Sequence, residues 1–123
     1  MKDYRDLEVY LLSQSLVARV LAATRRFPRS ERFELVSQIR RAAISIQSNL
    51  SEGYSRKSRK EYIQFVSVAY GSCRELGTHL EISRGQDYIS ENEYRDLDAL
   101  RDRVSAMLWR LRESLDPIKP RPR

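Results

Sequence analysis

Apolar residues recur along this chain at spacings of three and four, the period of one helix face. Four such stripes can be followed. The first carries Leu7, Leu11, Ala18 and Leu21. The second carries Leu35, Ile39, Ala43, Ile46 and Leu50. The third runs Tyr62, Phe65, Ala69, Cys73, Leu76, Leu80, and the fourth Leu97, Leu100, Val104, Leu108, Leu111, Leu115. No alternating strand pattern competes. Start and stop signals separate the stripes. Asp3 can cap a first helix running to about Arg26, where Phe27-Pro28 interrupts it, because the residue before a proline avoids the helical region. Ser30 caps a second helix, with Glu31 and Glu34 near its positive end and Gly53 as its stop. Ser58 and Glu61 have capping-box spacing and open a third helix to about Arg84, with Gly85 behind it. Ser90 and Glu93 repeat that spacing and open a fourth, which ends before Pro117. Turns of roughly five residues make consecutive helices antiparallel neighbours. The expected fold is all-α. An up-down-up-down antiparallel four-helix bundle covers residues 1–116, and a basic, proline-rich tail covers 117–123.

Two helices have apolar residues to spare. On the first, Val9, Leu12, Leu16 and Val20 form another stripe facing away from Leu7 and Leu11. On the third, Ile63, Val66 and Tyr70 do the same, and Trp109 points off the fourth stripe. Soluble monomers generally avoid leaving such patches in water. Val9, Leu12, Leu16, Val20, Ile63 and Tyr70 are therefore a candidate subunit interface. The alternative is a bundle whose helices have wide core faces.

A length of 123 residues fits one domain with a modest core. The single cysteine, Cys73, excludes an internal disulfide and lies on a core stripe, so it reads as a small core residue in a reducing, cytoplasmic setting. The opening "MKDYRDLEVY" is too charged for a signal peptide, and no apolar run approaches the ~20 residues of a membrane helix. One histidine, His79, excludes most catalytic constellations. A di-iron bundle needs two Glu-x-x-His pairs, whereas Glu75 and His79 are four apart without a second set. No zinc spacing exists, and "EGYSRKS" lacks the pattern of a phosphate loop. Ser72 and His79 are two turns apart, too far for a nucleophile and its base. No catalytic, metal or cofactor-binding residue is expected, and an enzyme is not.

Charge changes the picture more. The net charge is +6, with three positive residues in the tail "PIKPRPR". In the expected bundle the turn at residues 54–58 shares an end with both termini. Arg56, Lys57, Arg59 and Lys60 then lie near Lys2, Arg5, Lys119, Arg121 and Arg123. These turn and tail residues are candidate contacts to the phosphates of RNA or DNA. No base-reading motif accompanies them, and plain solvated charge is the competing reading. A polar seam is the second candidate. Arg41 shares a stripe of the second helix with Gln38 and Glu52, and Glu75 lies beside the core stripe of the third. Arg41 can pair with Glu75 or Glu52 across a helix or subunit contact, or the stripe is simply wet. Arg40 points about 100° away, near Ile44 and Gln47, and is expected to be the more exposed arginine. Gly71-Ser72 would admit a close neighbouring backbone.

These residues carry a family resemblance. Residues 27–80 hold Phe27-Pro28, Gln38-Ile39-Arg40-Arg41-Ala42-Ala43, Ser45-Ile46, Asn49, Glu52-Gly53, Arg56, Glu61-Tyr62, Phe65, and Gly71-Ser72 with Glu75-Leu76. The segment closely resembles the bacterial four-helix-bundle family named for proteins encoded in intervening sequences of 23S rRNA genes. "YRDLEVYLLSQSL" resembles that family's usual opening, and Val66-Ser67-Val68-Ala69 is smaller than its usual version. The resemblance implies a ring, a homopentamer by preference, with no known enzymatic activity. The family name records where some genes sit and is not evidence of rRNA binding. The accessory variability determinants of diversity-generating retroelements, distantly similar, form pentameric barrels that associate with a reverse transcriptase and nucleic acid. Two classes of function follow: a non-enzymatic oligomeric accessory to nucleic acid or a ribonucleoprotein, or an oligomeric scaffold for a protein partner with incidental positive charge.

Overall fold

The computed structural model describes residues 7–116, and among these there are four α-helices and no strand. They are α1 (Glu8–Thr24), α2 (Leu35–Tyr54), α3 (Arg59–Gly85) and α4 (Glu91–Leu115), with a short 3-10 turn at Arg29–Glu31. Asp3, Lys2, Arg5 and the tail from residue 117, including Lys119, Arg121 and Arg123, lie outside the described residues. Each helix packs on two others: α1 on α2 and α4, and α3 on α2 and α4. The core between them holds Leu16, Ile39, Ile46, Leu50, Val66, Leu76 and Leu108, each at most 1 % exposed.

The helix ends show local chemistry at work. The Ser58 hydroxyl accepts the backbone N–H of Glu61 and so caps α3. Ser90 and Glu93 form a complete capping box at α4, each side chain satisfying the other's backbone N–H. The expected cap at Ser30 is corrected. Ser30 sits inside the 3-10 turn, and α2 begins only at Leu35 behind Glu34, which makes no side-chain cap. Two anchors hold the chain out of helix here. Phe27 is buried against the Tyr88 ring, and the Tyr88 hydroxyl donates 2.7 Å to Glu31 Oε2. Nor does Gly85 make the turn after α3. It is the last helical residue, and the left-handed conformation falls on Asp87, φ 61°.

The largest correction concerns α1. Its buried residues are Val9, Ser13, Leu16, Val20, Ala23 and Thr24, whereas Leu11 is 49 % exposed and Ala18 is also exposed. The expected core stripe and spare stripe are interchanged. Small residues share the buried face: Ser13, Ala23 and Thr24 lie on it, and the two hydroxyls donate back within α1 to Tyr10 O and Val20 O, so their burial leaves no polar group unsatisfied. Val9, Leu16 and Val20 thus belong to the chain's own core and offer no subunit interface. Leu12, Ile63 and Tyr70 are half-buried, Tyr70 against Trp109 with ring centroids 5.4 Å apart. Val66, also counted as spare, is fully buried.

Glycine placement differs as well. A Cβ at Gly71 would meet no heavy atom within 4 Å among the described residues, so no close backbone of this chain's described part requires that glycine. At Gly53, still inside α2, a Cβ would come within 2.8 Å of Phe65 Cβ. The close backbone approach lies there, where α2 turns into α3.

Candidate nucleic-acid interface

The turn between α2 and α3 is built tightly. The Ser55 hydroxyl donates 2.7 Å to Glu52 O, and the Arg56 N–H donates to Gly53 O. Arg56 itself is positioned rather than loose. It donates 3.0 Å to Glu52 Oε2 one helical turn back, and its guanidinium lies 4.8 Å from the Phe65 ring centroid. Lys57, Arg59 and Lys60 are exposed, and none has a carboxylate within ion-pair distance among the described residues. Arg59 and Lys60 occupy the first turn of α3. Cations there oppose the helix dipole, so they do not serve the helix. The same dipole adds to their field and favours an anion at this end. Tyr54 and Tyr62 stand beside the turn with ring centroids 6.0 Å apart, and burial, then Tyr54, pushes the Tyr62 phenol up.

The polar seam is brought together only in part. Gln38, Arg41, Ser45, Ser72 and Glu75 line one groove of about 430 Å³. Ser45 and Ser72 hydroxyls meet at 2.8 Å, and Asn49 Nδ2 donates to Ser45 O at 2.8 Å. Arg41 is exposed on the rim, with no carboxylate within ion-pair distance among the described residues. Glu52 is three turns along α2 from Arg41, about 16 Å at 1.5 Å per residue, and pairs with Arg56 instead. Glu75 Oε1 lies 3.4 Å from Nε2 of the buried His79, whose Nδ1 has no hydrogen-bond partner among the described residues.

Arg40 reverses its expected role. It is half-buried, donates from Nε to Thr24 Oγ1 at 2.9 Å, and from Nη2 to Leu21 O at 3.3 Å. Charge patterning could not find this contact, because its partners on α1 are a hydroxyl and a main-chain carbonyl. Cys73 is buried, donates 3.3 Å to Arg101 O, and burial pushes its thiol up to about 11. No group of three or more potential metal ligands stands together among the described residues, and no helix is long and apolar enough to cross a membrane.

Residues 5–110 match the family model described as 23S rRNA-intervening sequence protein. The fold is similar to the crystal structure of a protein of unknown function from the S23 ribosomal protein family of Bacteroides thetaiotaomicron VPI-5482. That similarity has a TM-score of 0.80 at 21 % identity, covering 85 % of this chain and 98 % of that chain. No functionally curated protein matches. With the matched segment spanning all four helices, the chain belongs to the 23S rRNA-intervening sequence protein family.

Proposed function

We propose that the protein is a non-enzymatic, oligomeric four-helix bundle protein of the cytoplasm that docks on the phosphate backbone of RNA or DNA, as an accessory to nucleic acid or a ribonucleoprotein. The observation that carries this reading is the set Lys57, Arg59 and Lys60, exposed at the positive end of α3 without carboxylate partners among the described residues. Phosphates satisfy both the side chains and the dipole there. The bundle reads as up-down-up-down. Thr24 meets Arg40 while Tyr10 meets Gln47, and Ser45 meets Ser72 while Gly53 faces Tyr62. Self-association into a ring, five copies by family resemblance, draws on the outward apolar residues Leu11, Ile44, Val68, Ile82 and Trp109, each at least 45 % exposed. Repetition around a ring multiplies weak contacts by avidity.

The test is fluorescence anisotropy with labelled RNA and DNA at ~50 mM salt. Binding should ignore base sequence and weaken steeply with salt. Replacing Arg56, Lys57, Arg59 and Lys60 with Ser or Gln should lower the log–log salt slope by about 3. No binding of either nucleic acid would defeat the reading. A protein-binding scaffold then stands in its place, favoured by the exposed Val68 and Trp109.

A further inference from the structure

A second basic feature lies near the opposite end of α2, where α1 hands the chain over. A cleft of about 320 Å³ opens there. Arg25, Arg29, Arg32 and Arg40 line it together with Phe27, Pro28 and Val36, and no carboxylate does so among the described residues. None of the four arginines has an ion-pair partner among the described residues. The acids closest in sequence face elsewhere: Glu31, which accepts from Tyr88, and Glu34 line a separate pocket with Gln38 and His79, and Glu93 pairs with Arg26.

Arg40 makes this more than a wet basic corner. Its two bonds to α1 go to neutral acceptors, so the guanidinium is oriented while its charge stays uncompensated. Thr24 Oγ1 is fixed in turn, donating 2.8 Å to Val20 O while accepting from Arg40 Nε. A half-buried, oriented cation without a counter-ion is disfavoured until an anion arrives. The surroundings state which anion. Several guanidinium forks match a dianionic phosphate monoester better than the single charge of a diester inside a strand. Pro28 is the exposed apolar residue of the cleft, with the largely buried Phe27 and Val36 behind it, and arginine planes stack on flat rings. The volume lies at the lower end of small-molecule sites, about 300–1,000 Å³.

We propose that the α1–α2 cleft binds a phosphate monoester carried on a flat ring system, the chemistry shared by a free nucleoside monophosphate and the 5′-phosphorylated end of a nucleic-acid strand. It is independent of the basic turn, since α2 has 20 residues and so separates the two by about 30 Å.

Calorimetric titration of the intact chain with adenosine monophosphate and with adenosine tests it. The nucleotide should bind with a dissociation constant of about 0.1–1 mM and the nucleoside at least tenfold more weakly. The double variant Arg29→Gln/Arg32→Gln, at exposed positions that leave the core intact, should weaken nucleotide binding about tenfold. Thr24→Val should weaken it several-fold by releasing Arg40, with circular dichroism verifying the fold. The source is read in a chain whose turn residues 56, 57, 59 and 60 are replaced by Ser. Tighter binding of a 5′-phosphorylated oligonucleotide than of its 5′-hydroxyl twin assigns the strand end. Equal binding of the two, with the mononucleotide still bound, assigns the free nucleotide. Equal affinity for nucleotide and nucleoside, no nucleotide binding below about 5 mM, or unchanged affinity in the Arg29/Arg32 variant would overturn the proposal. The Arg29/Arg32 variant keeps the turn intact and the turn variant keeps the cleft intact, so failure of this proposal leaves the backbone-docking reading standing, and the reverse.

Discussion

Nε of Arg40 donates a 2.9 Å hydrogen bond to Oγ1 of Thr24, tying α2 to the last turn of α1, while its neighbour Arg41 reaches no acid among the described residues. One residue of helical rotation separates a half-buried, positioned cation from an exposed one. Arg40→Ala should therefore destabilise the fold by about 1–2 kcal/mol, through two lost hydrogen bonds and lost packing of the stem. Arg41→Ala should stay within about 0.5 kcal/mol. Urea denaturation of both variants measures the difference, and a larger loss at Arg41 would contradict the geometry.

The interchange of stripes on α1 makes an equally direct forecast. Leu16 is fully buried, so Leu16→Glu places a carboxylate in the core and should unfold the chain, at a cost of several kcal/mol. Leu11→Glu, on the outward face, should keep the helical fold of the single chain. Far-ultraviolet circular dichroism separates these outcomes. Sedimentation of the folded Leu11→Glu chain also reports whether that face holds subunits together, because dissociation is expected if it does.

Two glycines should respond with opposite signs. Gly71→Ala adds a methyl group into open space within a helix and should stabilise by about 0.5–1 kcal/mol. Gly53→Ala forces its methyl against Phe65 Cβ and should cost about 1–3 kcal/mol, because α2 and α3 must part where they turn. Thermal melts of the two variants would lie on either side of the wild type.

Cys73 supplies a pH dependence. Its folded-state thiol is raised to about 11 by burial, so the native state holds the proton more tightly than the unfolded chain. That contribution is fully present below the ordinary thiol range and is lost as pH rises from about 9 through about 11. Wild-type stability should fall over this window by on the order of 2 kcal/mol more than that of Cys73→Ala. Iodoacetamide at about pH 8 should label the folded protein slowly and the urea-unfolded protein quickly. Rapid labelling of the native chain would mean the thiol is not enclosed.

What the sequence determined by itself is local. Helix ends marked by Ser58 and by Ser90 with Glu93 were legible, since a cap needs only residues three apart. So were the core faces of α2 and α4, where one stripe clearly exceeds its rivals, and that of the later turns of α3: Ile39, Ile46, Leu76 and Leu108 are all buried as the period requires, whereas at the start of α3 Val66, read as spare, is buried and Tyr62 and Phe65 are half-buried. The basic turn was legible too, because a run of cations between two helices has nowhere to go but the surface. On α1 the period was ambiguous. Two apolar stripes share that helix, and only packing against α2 and α4 chose Val9, Leu16 and Val20 over Leu11 and Ala18. The same holds for the arginines. Hydropathy treats Arg40 and Arg41 alike, and their different fates depend on a threonine hydroxyl and a carbonyl brought from sixteen to nineteen residues away. The cleft of four arginines was invisible for that reason: Arg25, Arg29, Arg32 and Arg40 converge because Phe27 and Tyr88 pin the chain between α1 and α2. Periodicity and capping act within a few residues of one helix, whereas the rotation of each helix about its axis is set by the side chains it meets on its neighbours.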